Sequence, residues 1–577
     1  MKTNHVRLAL ATMVIALTAG PVGAADPYVD SWLTANSGKY ARLYTTDANR
    51  TNGVSVSTWS NGTQTQSLPA YVGVQEVYSS ASWVYLRSSG LANHIMGPWQ
   101  NGAFPNLPKN QNALYRIPRA ATVPATKTLT GLGVIGYFVD GVAMFDSRDG
   151  FVWTGAAESG NGTGYWNREA YVNEGATFDP GYAHQEQTGN HHYHANPVAL
   201  RYLLGDHVDF NATTKIYSES TNAVTKHSPI LGWVRDGYPV YGPYGFANAT
   251  NSASGPARMR SGYVLRNGQS NTVNLTVVGR STIPQWAVRA YNVAAGQSGP
   301  AVSTTYPLGR YMEDNDFLGD LGCTNGVHFD LDEYNGRYCV TPEFPNGTYA
   351  YFVSISGNGT PAYPYNIGRT FYGSPTGAAV TSLAETVTTN FVGGPMLSPA
   401  LNPPAVNNGM VTLTWSATEG GTYRVESTTN LTSWTTNASG LAAALNSGAY
   451  TNASPESAKF YRVARTALAA YDPVGGTSGG TGGFVAPGGS VSRGSGTNIT
   501  VTITLPASPP QPPADRVPVS VTLAGTISGT GISRPAVGTV VATFAIPANA
   551  PTGAQNIVIV FNPAPTYTMT GAFTINP

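Results

Sequence analysis

A mainly β protein, with one large β-rich domain followed by two small β-sandwich modules, is what three observations on the sequence predict. Turn formers are abundant, with 66 Gly and 41 Pro among 577 residues, and they punctuate short runs rich in Val, Thr and Tyr. Charged side chains make up only 11% of the chain, less than half of the roughly 25% usual in soluble domains, which excludes a charge-rich helical or disordered protein. Apolar and polar residues alternate at period two in many of the short runs, the signature of half-buried strands. At roughly 100–200 residues per domain the length predicts about three or four domains. The formal net charge of +1 lacks the basic excess that a phosphate-binding surface needs, so the sequence predicts no nucleic-acid partner.

Residues 1–25 carry Lys2, His5 and Arg7, an apolar run from Leu8 to Leu17 and small residues from Gly20 to Ala25. This layout predicts a signal peptide cleaved after Ala24 or Ala25 and a secreted, periplasmic or cell-surface protein. The run is too short to span a bilayer, and no later stretch reaches the roughly 20 apolar residues a spanning helix needs. Residues 26–397 read as one β-rich domain, with strand-like runs at Val72 to Tyr78, Trp83 to Arg87, Val134 to Val139 and Tyr349 to Ile355. A Pro-rich stretch from Leu397 to Pro404 introduces residues 398–466, where Val411 to Trp415, Tyr423 to Val425 and Phe460 to Val463 alternate as in a fibronectin type III-like sandwich. Residues 467–497, rich in Gly and Ser from Gly475 onward, read as a linker. Residues 498–577 then predict an Ig-like sandwich with strands at Ile499 to Leu505, Val519 to Leu523, Val540 to Ile546 and Ile557 to Phe561. Neither carboxy-terminal module contains a His or Cys, so both read as spacers or adhesion modules, and few contacts are expected to cross the boundary at 397.

The chain has 2 Cys, Cys323 and Cys339. In an exported protein a lone pair this close predicts one disulfide, with thiolate metal ligands as the other reading. Closing a loop of this length contributes about 3 kcal/mol by the chain-entropy model.

Histidine is scarce, with 9 in the chain, yet His184, His191, His192 and His194 fall together. If Gly189-Asn-His-His-Tyr-His194 is extended, His192 and His194 project from one face, about 6.6 Å apart at Cα, while His191 and Tyr193 project from the other. Two imidazoles on one face can chelate a metal that draws further ligands from elsewhere in the fold, and His94, His184, His227 and His328 are the candidates. The first expectation for the third ligand is His94. The other reading of the cluster is structural, with imidazoles hydrogen-bonded in a polar interior. His207 reads as a turn or strand-edge residue.

The same segment, Gly189-Asn-His-His-Tyr-His194 followed by Pro197 and Leu200, resembles the motif that names the YHYH domain family, with His191 in place of its first Tyr. Other blocks are similar to that family in order: Gly90 to Pro98, Ile135 to Val142, His227 to Trp233 with Asp236 to Tyr244, and Thr341 to Phe352. The resemblance covers roughly residues 70–373. It implies a secreted, multi-block domain and supplies no established reaction.

Two further segments can carry chemistry. Asp236, among Gly, Pro and aromatic residues, can orient an imidazole or act as a base, or can simply form an Asp-Gly turn. Glu313, Asp314, Asp316, Asp320, Asp330, Asp332 and Glu333, with His328, form an acidic segment at 313–333 that can hold calcium, form a solvated loop or lend a ligand to the histidines. No nucleophile elbow, phosphate loop or dinucleotide fingerprint stands in a strand-to-helix context.

These readings support two function classes. One is a secreted metal-binding protein, carrying copper or zinc and open to being a metalloenzyme, with Tyr193 and Asp236 the catalytic candidates; Tyr193 beside copper would permit redox chemistry closed to zinc. The other is an adhesion or carbohydrate-binding protein whose partner is a surface polysaccharide or the cell envelope and whose histidines are structural.

Overall fold

The structure is a computed structural model that describes residues 26–61, 64–99, 106–453, 459–474, 485–486, 490–492, 498–504, 517–536, 539–562 and 566–576. The leader-like segment 1–25 lies outside the described residues, as does most of the Gly/Ser linker. The fold is β-rich, as the composition requires. Its centre is an eight-stranded mixed sheet whose strands are β1 (Val134–Phe138), β2 (Ala143–Phe145), β3 (His184–Gln185), β4 (His191–Tyr193), β5 (Ile230–Val234), β6 (Pro239–Tyr241), β7 (Gly336–Cys339) and β8 (Thr348–Phe352). They lie in the order β3-β4-β2-β1-β5-β6-β8-β7. Pairing is antiparallel except for β4 with β2 and β6 with β8, which are parallel.

The middle strands are apolar throughout because both faces of the sheet are covered. Every residue of β5 is buried, and Phe138, Trp233, Val240, Tyr241, Tyr351 and Phe352 meet in one core. Gly136 and Gly232 let β1 and β5 pack at close range: a Cβ on Gly136 would lie 2.4 Å from Trp233 O, and one on Gly232 would lie 2.7 Å from Tyr137 O. A second, fully antiparallel five-stranded sheet runs through Val74–Ser79, Trp83–Ser88 and Ala113–Pro118, flanked by Ala378–Ala379 and Thr388–Val392. The two sheets meet where the Ser88 hydroxyl donates to Gly141 O at 2.7 Å, in the turn between β1 and β2. The strands expected around residues 72–87, 134–139 and 349–355 are therefore present with shifted ends. An aromatic cluster of Trp166, Tyr263, Trp286, Tyr311 and Tyr363 forms a separate core outside the central sheet.

Downstream, residues 405–468 form two three-stranded sheets around Leu413, Trp415, Tyr423 and Val425. Residues 485–576 contain a four-stranded and a five-stranded sheet around Val501, Phe544, Ile559 and Phe573. The boundary at 397 is crossed by more contacts than its Pro-rich sequence suggests. Glu419 pairs with Arg42 and accepts the Tyr40 N–H at 2.8 Å, and its carbonyl accepts the Tyr71 hydroxyl at 2.8 Å. Asp472 accepts from the Gln66 amide at 2.6 Å. Among the described residues no helix is long and apolar enough to cross a membrane.

The expected disulfide is corrected by the structure: Cys323 and Cys339 are both free. Cys339 is buried at the end of β7, opposite Thr348 in β8, and burial raises its thiol. Cys323 follows the 3₁₀ turn Leu318–Leu321, held by its N–H donating to Leu318 O at 3.1 Å. That segment is anchored without a covalent link, through Asp330 bound to Arg260 and Phe317 paired in register with Tyr263. Alkylation of the unfolded, unreduced protein is expected to label two thiols, and reductant is expected to leave its thermal midpoint unchanged; one or no labelled thiol would contradict this fold.

Candidate metal centre

The local sequence dictates how the histidines gather. Residues 186–190 close a hairpin in which Gly189 adopts φ +80°, a conformation that suits glycine. The hairpin pairs β3 with β4 so that His184 stands directly opposite His192. Strand alternation then turns His192 and His194 to one face. All three side chains are buried, at 2% exposure for His184, 2% for His192 and 4% for His194. One ligand nitrogen from each lies within 4.8 Å of the others.

Hydrogen bonds fix the tautomers. His192 Nδ1 lies 2.8 Å from Asn190 O and His194 Nδ1 lies 2.7 Å from Asp146 O. A carbonyl only accepts, so both Nδ1 atoms carry the proton and donate. His184 Nδ1 lies 2.8 Å from Thr177 Oγ1, whose own hydroxyl donates to Glu174 O at 2.6 Å, so this Nδ1 donates as well. Nε2 is then the unprotonated nitrogen of each ring, and one nitrogen from each lies within 4.8 Å of the others. His192 Nε2 and His194 Nε2 face each other at 3.0 Å, where two acceptors repel unless a cation sits between them. Burial, reinforced by the neighbouring imidazoles for His184 and His192, pushes all three histidines toward the neutral form, so a proton is poorly suited to that role. Two nitrogens bound to one ion at 2.0–2.1 Å stand about 2.9–3.4 Å apart, and the observed separation falls in that span.

Glu174 completes the rim. Its Oε2 is 3.4 Å from His194 Nε2 and 3.7 Å from His184 Nε2, and its side chain is 26% exposed, the most open member of the group. Burial, with Asp149 nearby, pushes this carboxyl up to about 8. Phe145 stacks on the His192 ring at 3.8 Å and Phe178 lies edge-on to His184 at 4.8 Å, so the walls are apolar.

The other face of β4 builds a different group. His191 lies with His94 and Asp179, again with one ligand atom each within 4.8 Å, all buried. Burial lowers the His191 imidazole to about 4. Burial alone would raise Asp179, but His94 and His191 outweigh it and hold the side chain as a carboxylate.

The structure does not bring His94 together with His192 and His194: hairpin register puts His184 beside that pair, and His94 stands with His191. Tyr193 also faces away from the three histidines. Its hydroxyl lies 3.5 Å from both His94 Nδ1 and Asp140 Oδ2, so it stands with the second group and not beside the facing nitrogens of His192 and His194. His227 sits elsewhere, with Nδ1 donating to Ser228 O at 2.7 Å and the ring against Tyr241 and Phe246. His328 is exposed and accepts the Thr324 N–H at 3.0 Å within its own turn. His207 packs edge-on against Tyr244 ahead of the strand Val208–Asn211.

Asp236 occupies the hairpin turn between β5 and β6 and accepts from the Tyr351 hydroxyl at 2.6 Å, Gly373 N at 2.9 Å and Tyr238 N at 3.2 Å. It joins neither histidine group and ties the hairpin to β8. The acidic segment at 313–333 is not gathered around a calcium position, because its carboxylates are drawn apart by separate partners. Asp314 pairs with Arg280, Asp320 and Glu333 with Arg289, and Asp330 with Arg260. Glu313 receives the Tyr291 hydroxyl at 2.6 Å, and Asp332 receives that of Tyr349 at 2.9 Å.

Sequence reasoning missed Glu174 and Asp179. Asp179-Pro-Gly181 reads as an ordinary turn, and Glu174 lies in the short helix Ala170–Glu174, so neither carries a local signal. The position of His184 could have been found by centring a hairpin on Thr188, which pairs 184 with 192.

Residues 114–365 match the family model described as YHYH protein. That span contains His184, His192, His194, Asp179 and His191, while His94 precedes it. No curated protein matches the chain.

Proposed function

We propose that the domain matched by the YHYH model is an extracytoplasmic metal-binding domain in which His184, His192 and His194 hold one copper or zinc ion through Nε2. The observation that carries this reading is the pair of facing, buried Nε2 acceptors of His192 and His194 at 3.0 Å, with each Nδ1 committed to a carbonyl. Three imidazoles suit both metals, and a set of three protein ligands leaves a position for water or a substrate group. The ion would polarise whatever occupies that position; no reaction is assigned. Glu174, on the open side, is placed to donate to the ion or to take a proton from a group beside it. Export rests on the leader-like residues 1–25, and an envelope or polysaccharide partner on the sandwich-like carboxy-terminal sheets.

The test is to titrate the chelator-treated full chain with Cu²⁺ and with Zn²⁺, alongside His194→Ala. Wild type is expected to bind one readily exchanging equivalent, which the variant loses. Equal binding by both proteins, or none by either, would leave the histidines structural and favour the adhesion reading.

A further inference from the structure

His191 presents a discrepancy that hydrogen bonding within the protein does not resolve. It is fully buried, at 0% exposure, and neither Nδ1 nor Nε2 has a hydrogen-bond partner. A neutral imidazole carries one donor and one acceptor nitrogen, an imidazolium two donors, and buried polar atoms of either kind are nearly always satisfied. His94 Nε2 is likewise buried without a hydrogen-bond partner, 3.6 Å from Asp179 Oδ2 and so beyond hydrogen-bond range.

The surroundings orient these atoms as ligands. The Tyr193 hydroxyl stands between His94 Nδ1 and Asp140 Oδ2. Asp140 accepts the hydroxyl proton, so His94 Nδ1–H donates to the Tyr193 oxygen and the Nε2 lone pair is directed at Asp179. Asp179 is fixed in turn, with Oδ1 accepting from Gly181 N at 2.8 Å and Oδ2 from Gly97 N at 2.8 Å. The space beside them is kept open by a missing side chain: a Cβ on Gly181 would lie 2.5 Å from His94 Nε2 and 3.1 Å from Asp179 Oδ1.

We propose that His94, Asp179 and His191 form a second metal site, closed to solvent, that holds one divalent first-row ion through two imidazoles and one carboxylate. It lies on the opposite face of β4 from the three-histidine group and does not depend on that reading. Its mixed nitrogen and oxygen donors suit Fe²⁺, Mn²⁺, Co²⁺ or Zn²⁺. Tyr193 is then a positioning residue for His94. Because the site is enclosed, its ion is expected to enter as the chain folds and to resist chelators that empty the site beside Glu174.

The test is to produce the full chain in medium supplemented with Co²⁺ and count cobalt by elemental analysis before and after EDTA, with the cobalt absorption spectrum recorded at each stage. Wild type is expected to hold two equivalents before EDTA and one after. Asp179→Asn, His191→Ala and Gly181→Ala should each hold no chelator-resistant ion; Gly181→Ala retains all three ligands and fills the space beside His94 Nε2 and Asp179 Oδ1. His192→Ala should keep the resistant ion and lose the other. If a variant fails to fold, the wild-type count decides alone. A wild type holding one equivalent that EDTA removes would overturn the second site while leaving the three-histidine reading intact; His94 and Asp179 would then be an ion pair closed by a proton. A resistant ion that survives in Gly181→Ala and Asp179→Asn would also overturn it.

Discussion

His192→Ala is expected to lower the affinity of the exchangeable site for Zn²⁺ or Cu²⁺ by more than about 100-fold. Changes to groups that merely orient a ligand cost about 10–100-fold, and His192 is proposed as a ligand itself. Its loss also opens a gap under Phe145, which stacks on the imidazole. The stability readout follows by linkage: an ion at about 1,000 times its dissociation constant contributes about 4 kcal/mol to wild type, and most of that should vanish in the variant. Calorimetric titration and thermal unfolding with and without Zn²⁺ check both parts. A variant that binds within about threefold of wild type would remove His192 from the shell. Glu174→Gln is expected to be milder, because three imidazoles remain.

Arg201→Met is expected to destabilise the protein by about 3–5 kcal/mol, the usual consequence of stranding buried charge. Arg201 is completely buried in the short helix Val198–Leu203, which follows the histidine strand. Its guanidinium donates to Asp206 at 2.7 Å, to both oxygens of Glu219 at 2.7 and 2.9 Å, and to Asn196 Oδ1 at 3.0 Å. Removing it takes the shared cation from the buried Asp206 and the half-buried Glu219 carboxylates, and methionine fills the volume without answering either. Asn196 lies two residues beyond His194, so loosening is also expected to reach the proposed metal site, and affinity should fall with stability. Urea unfolding monitored by Trp fluorescence measures the first effect. A loss below about 1 kcal/mol would show that the carboxylates find other partners.

The contrast between what the sequence revealed and what it concealed is physical. Strands such as Val134–Phe138 and Thr348–Phe352 were legible because their apolar runs must be covered on both faces, and the grouping of His192 with His194 followed from the period of an extended chain. Partners from other segments were not legible. His184 depends on hairpin register, His94 on the segment bridged to Leu43 at Met96, Glu174 on the end of a five-residue helix and Asp179 on a turn, none with an apolar pattern. The two cysteines misled for a related reason: their spacing along the chain is short, but one lies at the end of a sheet strand and the other beyond a separate 3₁₀ turn, and chain spacing reports neither. The acidic segment misled because arginines distant in sequence, Arg260, Arg280 and Arg289, divide its charges among them.

The hydrogen bonds that shape the three-histidine group also set the order in which it is assembled. The carbonyl of His194 accepts from the Asn366 side chain at 3.0 Å, across 172 residues of chain, and the Nδ1 of the same residue is held by Asp146, 48 residues earlier. β4 is joined in parallel to β2, a pairing that cannot form as a local hairpin. The His184–His192 hairpin can close early, but the strand that carries it is locked only after residues near 366 have been synthesised and docked. Contacts this distant along the chain are slow to form. An emerging amino-terminal fragment therefore has at most a loose pair of imidazoles, and the proposed metal site is expected to reach full affinity only when the domain is complete. If the three histidines bind a metal as proposed, the ion they take is then set by those available in the compartment where folding finishes.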